Sequence, residues 1–434
     1  MPTATYREVF AEPSFRALFV ARTLAIGANA VQIFALSVLV YAGTGSPLLS
    51  ALAFGAGFLP QFVGGLLLGS LTDRLAPRPL IIAGYSVEAA LAATLGLLNL
   101  PVAVSLTLVA AVACGTPVFA GAAARVIAER LTGDAYVLGR SVSNMSSSTA
   151  QLLGLAGGGV AVGALGPHAA MLCAAGCHVV AAIAVRLGLP ADARAVVPRE
   201  RGSGTVRDSV AGATALLTDG TIRRLLLAQW LPSAFVAGAE ALFVAYAAGR
   251  GFPAGTGAVL MGAPAAGMLL GNFVVGRFVR PVVRERLVGA FLVVLGAPLV
   301  VLLTAPPLPV VVGLLVVAGT GFAYGLGLQR AFLEAAPEDR LGQLFALLST
   351  GLMALQGVGP LVLGAVAEAT APVLAIAAAG LATVLISLRW MGAVRGRSTT
   401  GQGVSEPARR PSPRFPPLPA WPARRPAPSC TRRS

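Results

Sequence analysis

Apolar runs of about twenty residues recur along the first 395 positions, separated by short polar turns. A helix needs about 20 apolar residues to cross a hydrocarbon core. On that ruler the pattern predicts about twelve spans. The first six cover roughly 15–41, 47–71, 79–100, 102–124, 142–165 and 168–187. The second six cover roughly 225–248, 254–279, 286–305, 308–329, 341–367 and 371–392. A more polar segment from Leu189 to Arg224 separates the two sets. From Ser398 onward, proline and arginine dominate, and too little apolar material remains to offset the entropy of ordering. The expected organisation is an amino-terminal six-helix bundle over 1–188, a cytoplasmic linker over 189–224, a second bundle over 225–394 and a disordered tail over 395–434. The fold class expected is all-α integral membrane.

The turns differ in charge in a regular way. Arginine concentrates in the loops Arg74–Arg78, Arg125–Arg140, Arg186–Arg224, Arg277–Arg286 and Arg330–Arg340. The intervening turns at Gly43–Ser46, Asn99–Pro101, Gly166–His168, Pro306–Pro309 and Ala369–Pro372 have none, and Gly249–Pro253 has only Arg250. Loops retained in the cytoplasm keep Lys and Arg, so the alternation predicts both termini in the cytoplasm and a plasma-membrane, multi-pass protein.

Composition sharpens this. Of the 434 residues 56% are hydrophobic and 11% charged, against roughly 25% charged in ordinary soluble domains. The net charge of +15 could suggest nucleic acid, but a net eight of those charges fall from Arg395 onward. No nucleic-acid partner is therefore expected; the partner that this composition implies is the lipid bilayer. The tail is read as a dispensable extension or as a basic segment that touches anionic lipid. Cys114, Cys173 and Cys177 fall in apolar helices and Cys430 in the tail, which is no disulfide framework. Cys173, Cys177 and His178 form a C-x3-C-H cluster, read as packing because structural zinc takes four ligands. The first apolar run is too long for a secretory h-region.

The two halves echo each other. Gly64-Gly65-Leu66-Leu67-Leu68-Gly69 in span two matches Gly267-Met268-Leu269-Leu270-Gly271 in span eight. The Gly154–Gly159 stretch of span five matches Gly357-Val358-Gly359-Pro360 in span eleven. Corresponding glycine-rich segments in two six-span halves are the mark of a duplicated carrier fold.

The most specific motif is Gly69-Ser70-Leu71-Thr72-Asp73-Arg74-Leu75-Ala76-Pro77-Arg78. Glycine permits close helix approach, a carboxylate can face a helix N-terminus, and arginines hold the turn at the lipid surface. It resembles the loop signature G-x-x-x-D-R-x-x-R-R of the major facilitator superfamily, with Pro77 and Arg78 in the last two places. The resemblance implies a conformational latch formed by Gly69, Asp73, Arg74 and Arg78. Phe15-Arg16-Ala17-Leu18, Thr44-Gly45-Ser46-Pro47, Leu59-Pro60 and Gly359-Pro360 with Gly364 are similar to bacterial multidrug and siderophore exporters of that superfamily. Two positions depart from the exporter pattern. Ala28 follows Gly27 where an acidic residue is common, and span five reads Gly154-Leu155 in place of Gly-Pro.

Charges inside spans are costly and mark function. Glu240 lies well within span seven, on one helix face with Gln229 and Ser233. A carboxyl group kept from water there can exchange protons or simply be hydrogen-bonded internally. Arg22, Asn29 and Gln32 share a face of span one, where Arg22 either snorkels to the surface or binds an anionic substrate. Ser147 and Gln151 in span five, with Ser143, and Gln356 in span eleven, with Ser349, can line a cavity or glue helices. Glu88 is a reserve candidate that could pair with a loop arginine. Trp230, Tyr246 and Tyr324 suit either stacking on a flat substrate or anchoring at the interface.

No G-x-x-x-x-G-K-[ST], H-E-x-x-H or G-x-S-x-G occurs, so neither ATP-driven export nor these hydrolytic chemistries are expected. The expectation is no enzyme and no cofactor; the resemblance implies the proton gradient as energy source, with protons and a small organic substrate as partners of a monomeric chain. The resemblance implies proton-coupled efflux of a drug, siderophore or secondary metabolite by alternating access. An uptake symporter, or a sensor or scaffold that does not transport, stays open.

Overall fold

A computed structural model describes residues 5–68, 75–131, 133–190, 213–253, 255–335 and 341–400. All regular structure among them is helical. A short α1 (Tyr6–Ala11) leads into α2 (Pro13–Thr44), the first span. Span two is split into α3 (Pro47–Gly55) and α4 (Phe58–Leu68). Then come α5 (Pro77–Leu97), α6 (Val102–Arg130), α7 (Gly133–Leu165) and α8 (Pro167–Gly188). The second half opens with α9 (Gly220–Ala241) and α10 (Phe243–Gly249), followed by α11 (Thr256–Phe278) and α12 (Pro281–Val301). Span ten comprises α13 (Leu308–Thr320) and α14 (Tyr324–Ala335), joined by a 3-10 turn at Gly321–Ala323. Finally come α15 (Leu341–Ala369) and α16 (Pro372–Thr400).

Ten spans among the described residues are long and apolar enough to cross a membrane. An eleventh is the pair α9–α10, bent by 42°. The helix α7 is apolar over the shorter stretch Thr149–Leu165. The twelve elements coincide with the predicted spans, although α6, α7 and α16 run several residues further on the arginine-rich side. The compact unit ends at Gly392.

Local chemistry sets the boundaries. Proline occupies the first helical turn of α2, α3, α5, α8, α12, α13 and α16, where its missing N–H costs nothing. Turns on the arginine-poor side adopt positive φ, and glycine supplies it at Gly45 after α2 (φ 66) and Gly166 after α7 (φ 83). Arginines close helix ends by donating to orphan carbonyls. Arg284 bonds the Gly276 and Val279 oxygens at the end of α11. Arg250 donates to the carbonyls of Ala305 and Pro306, with its guanidinium stacked over Phe252.

The sequence echo has a structural counterpart. Gly64 of α4 lies against the Cys114 carbonyl of α6, and Gly267 of α11 lies against the Val316 carbonyl of α13, each with no room for a Cβ. Gly154 of α7 meets the Gly27 backbone of α2, and Gly359 of α15 meets the Ala234 backbone of α9. Spans two and four thus pack like spans eight and ten, and one and five like seven and eleven. Dispersion contacts between small residues drive such packing where lipid is as apolar as leucine.

Candidate functional site

Two seams join the halves, and both lie at the arginine-poor ends of the spans. In the first, α3 and α4 run along α15. Gly55 faces Pro360, Leu59 sits on Gly357, and Ala51 and Leu48 sit on Gly364. Glu368 completes this seam: its Oε2 accepts from Ser46 Oγ at 2.8 Å and from the Leu48 backbone N–H at 3.2 Å. Ser46 also caps α3 by accepting from Leu49 N–H, so the Glu368 carboxylate sits at a helix N-terminus where negative charge is favoured. In the second seam α7 meets α11. A Cβ on Gly159 would fall inside the Ala258 side chain, and Gly163 faces Gly255.

Between these seams and the arginine-rich ends lie the polar side chains. On α9, Gln229 and Ser233 are brought together, but around Tyr324 at the start of α14. The Tyr324 hydroxyl donates to the Gln229 carbonyl at 2.9 Å and lies 3.0 Å from Ser233 Oγ. Tyr324 is 0% exposed, so it is a core tie between spans seven and ten. It is neither a stacking surface nor an interface anchor. Trp230 likewise donates its indole N–H to the Leu348 carbonyl of α15 at 3.0 Å. Glu240 stands apart from that cluster. It lies two residues before Leu242, where the span bends, and has no hydrogen-bond or ion-pair partner among the described residues. A carboxyl group at a break in a span is a usual arrangement for ion or substrate sites in carriers.

In the first half, Arg22 Nε donates to Ser147 Oγ at 3.1 Å, and the Ser147 hydroxyl in turn donates to the Ser143 carbonyl at 2.8 Å. The neighbouring Thr23 and Ser146 hydroxyls lie 2.7 Å apart. A cleft of about 370 Å³ opens beside them, lined by Phe19, Thr149 and Leu153 among others. No carboxylate lies within ion-pair distance of Arg22 among the described residues. Asn29 is half-buried, Gln32 is buried with an unpartnered Oε1, Gln151 is exposed and Gln356 half-buried. None of these four joins the Arg22–Ser147 contact. Among the described residues Glu88 pairs with no loop arginine; it faces His178 of α8. Of the latch residues, Gly69, Asp73 and Arg74 lie outside the described residues. Arg78 is placed, with Nη2 donating to the Arg186 carbonyl at 2.7 Å, so that it ties the start of α5 to the end of α8.

Sequence reasoning missed Glu368 and the His178 partner of Glu88. Glu368 reads as a solvated charge at a helix end, and only the Thr44-Gly45-Ser46-Pro47 motif opposite it hinted at a built turn.

Two matched sets of membrane-spanning helices, joined by seams at one face and carrying polar groups inside, define a helical membrane carrier. A family profile of the Major Facilitator Superfamily matches residues 18–333, and the chain belongs to that superfamily. A bacterial homolog to the human lysosomal transporter Spinster, in an inward-facing and occupied conformation, superposes with a TM-score of 0.65 at 16% identity, over 92% of this chain and 98% of that one. A POT family transporter in complex with 5-aminolevulinic acid gives 0.66 at 11% identity, over 87% and 95%. Another, in complex with a thioalcohol conjugated peptide, gives 0.67 at 12%, over 89% and 96%. A comparison with curated proteins finds no match.

Proposed function

We propose that this secondary transporter exports a small organic molecule, a drug, siderophore or secondary metabolite, across the plasma membrane in exchange for protons. The observation that carries the proposal is the pair of seams at the arginine-poor face. Two contact sets that a rocking of the halves would open are closed together, which suits the inward-facing member of an alternating pair. Glu240, unpartnered at the break in span seven, is the proton-exchanging group in this reading. Arg22, Ser147, Asn29, Gln32 and Gln356 offer polar contacts to the substrate, and the loop from Gly69 to Arg78 is the latch on the arginine-rich face. Export over uptake rests on the exporter-like residues around Phe15, Thr44 and Gly359. The proton gradient supplies the energy and no bound cofactor is required.

Ethidium flux in reconstituted vesicles tests this. With the arginine-poor face inside and an acidic lumen, the wild type should concentrate ethidium inwards, and a protonophore or Glu240→Gln should abolish the movement. Ethidium accumulation that ignores the gradient, or survives Glu240→Gln unchanged, would contradict the coupling.

A further inference from the structure

The contact between α5 and α8 holds two titratable side chains that the proposed cycle leaves unused. Glu88 and His178 both lie near the middle of their helices, about 13 Å or more from either end at 1.5 Å per residue. That places them deep in a core about 30 Å thick. His178 Nδ1 is 3.1 Å from Glu88 Oε2, and the two side chains are 0% and 6% exposed. The two atoms are at ion-pair distance without the alignment of a hydrogen bond, and His178 Nε2 is buried with no partner.

One turn away along each helix, Ala92 of α5 and Ala174 and Ala175 of α8 form a buried cluster with Ala28 of α2. The titratable neighbours are few. On α5, Tyr85 stands one turn before Glu88 and packs its ring on Phe119 of α6. On α8, Cys177 precedes His178. From α2, the Arg22 guanidinium acts on Tyr85 together with Glu88. The polar chain then continues from Arg22 to Ser147 on α7.

Other buried ties between neighbouring helices in this chain use no acid or base. Ser387 donates to the Gly289 carbonyl, Ser50 to the Ser37 carbonyl, and glycines do the rest. A Glu–His pair brings chemistry that such a tie does not need. With one proton between them the two groups are neutral overall. With none or two, a net unit charge is left in an apolar interior, which is strongly disfavoured unless something compensates it. Arg22 on the adjoining α2, with no carboxylate at ion-pair distance among the described residues, is the cation available to that balance.

We infer that Glu88 and His178 form a proton-binding site in the first half of the molecule, distinct from Glu240, whose single shared proton is loaded and unloaded during the transport cycle. This rests on the proton coupling proposed above. The chain has only two histidines, so His168→Gln leaves His178 as the sole imidazole for nitrogen NMR of the full chain in lipid nanodiscs. The spectrum should show a His178 imidazole whose proton occupancy depends on the Glu88 carboxylate beside it. Glu88→Gln should lose that signature and Glu88→Asp should keep it, which guards against a folding artefact.

A second readout separates a cycling site from a static tie. In a variant with the four cysteines replaced, Ala51→Cys places a thiol in the closed seam, where Ala51 is 0% exposed. Its rate of labelling by an impermeant maleimide should depend on pH, and Glu88→Gln should shrink that dependence at least threefold. Identical nitrogen spectra for wild type and Glu88→Gln would overturn the shared proton. A changed spectrum with the same pH dependence of labelling would overturn its place in the cycle. Neither readout needs substrate or gradient, so both stand even if the chain moves no ethidium.

Discussion

Replacing Gly159 by alanine should push the molecule open at the arginine-poor face. In the closed seam the new methyl would occupy the space of the Ala258 side chain. Carbon atoms pack at roughly 3.5–4.0 Å, so α7 and α11 must part locally by about 2 Å. Overpacking a close contact costs about 1–3 kcal/mol, and here the strain exists only in the closed state. Taking about 2 kcal/mol, the closed-to-open ratio should fall roughly thirtyfold. Maleimide labelling of the thiol introduced by Ala51→Cys, in the cysteine-replaced background, reads the open population from that face. Its rate should rise by about that factor in Gly159→Ala. Adding Ala258→Gly removes the opposing methyl and should return the rate close to its starting value. An unchanged rate in Gly159→Ala, or a raised rate that Ala258→Gly does not lower, would refute the seam as a gate.

The other expectations follow from single contacts. Glu368→Ala removes two hydrogen bonds across the other seam. At an exposed position these are worth about 1 kcal/mol, so labelling of the Ala51→Cys thiol should rise about fivefold, and Ser46→Ala should reproduce part of that rise. Tyr324→Phe leaves the Gln229 and Ser233 groups of the core without their hydroxyl partner and should lower stability in detergent by about 1–3 kcal/mol, read as a lower melting temperature. Asp219 caps α9, and N–H donation from Ile222 and Thr221 holds its carboxyl below the usual aspartate range. Its stabilising effect should be full above that usual range and be lost only as pH falls through the depressed value. Asp219→Asn, which keeps a capping oxygen but no charge, should flatten that part of the acid melting curve.

The spans were readable because the period of the problem is long: about twenty apolar residues with arginine on alternate turns survives any local irregularity. The glycine echoes were readable for a similar reason, since Gly64 and Gly267 meet the same demand for backbone contact in each half. The bend at Leu242 was not readable. It lies inside an uninterrupted apolar run, and hydropathy is blind to direction. The polar face of span seven was seen, but its purpose divided: Gln229 and Ser233 serve Tyr324, and Glu240 is left alone at the break. Glu88 stands out in the sequence as a charge inside a span, whereas its partner His178 lies on another helix, next to Cys177 in the chain. Glu368 was overlooked because its role depends entirely on a turn in the opposite half.

The alternation of the two halves can be measured directly by spin-label distances across each face. One pair joins exposed Gly43 and Thr370 at the arginine-poor face, and the other joins exposed Glu129 and Phe278 at the arginine-rich face. On going from the parent to Gly159→Ala, the first distance should lengthen while the second shortens, as in a rocking of the halves. If the two distances move in the same direction, or the second stays fixed while the first lengthens, the halves do not alternate about these seams.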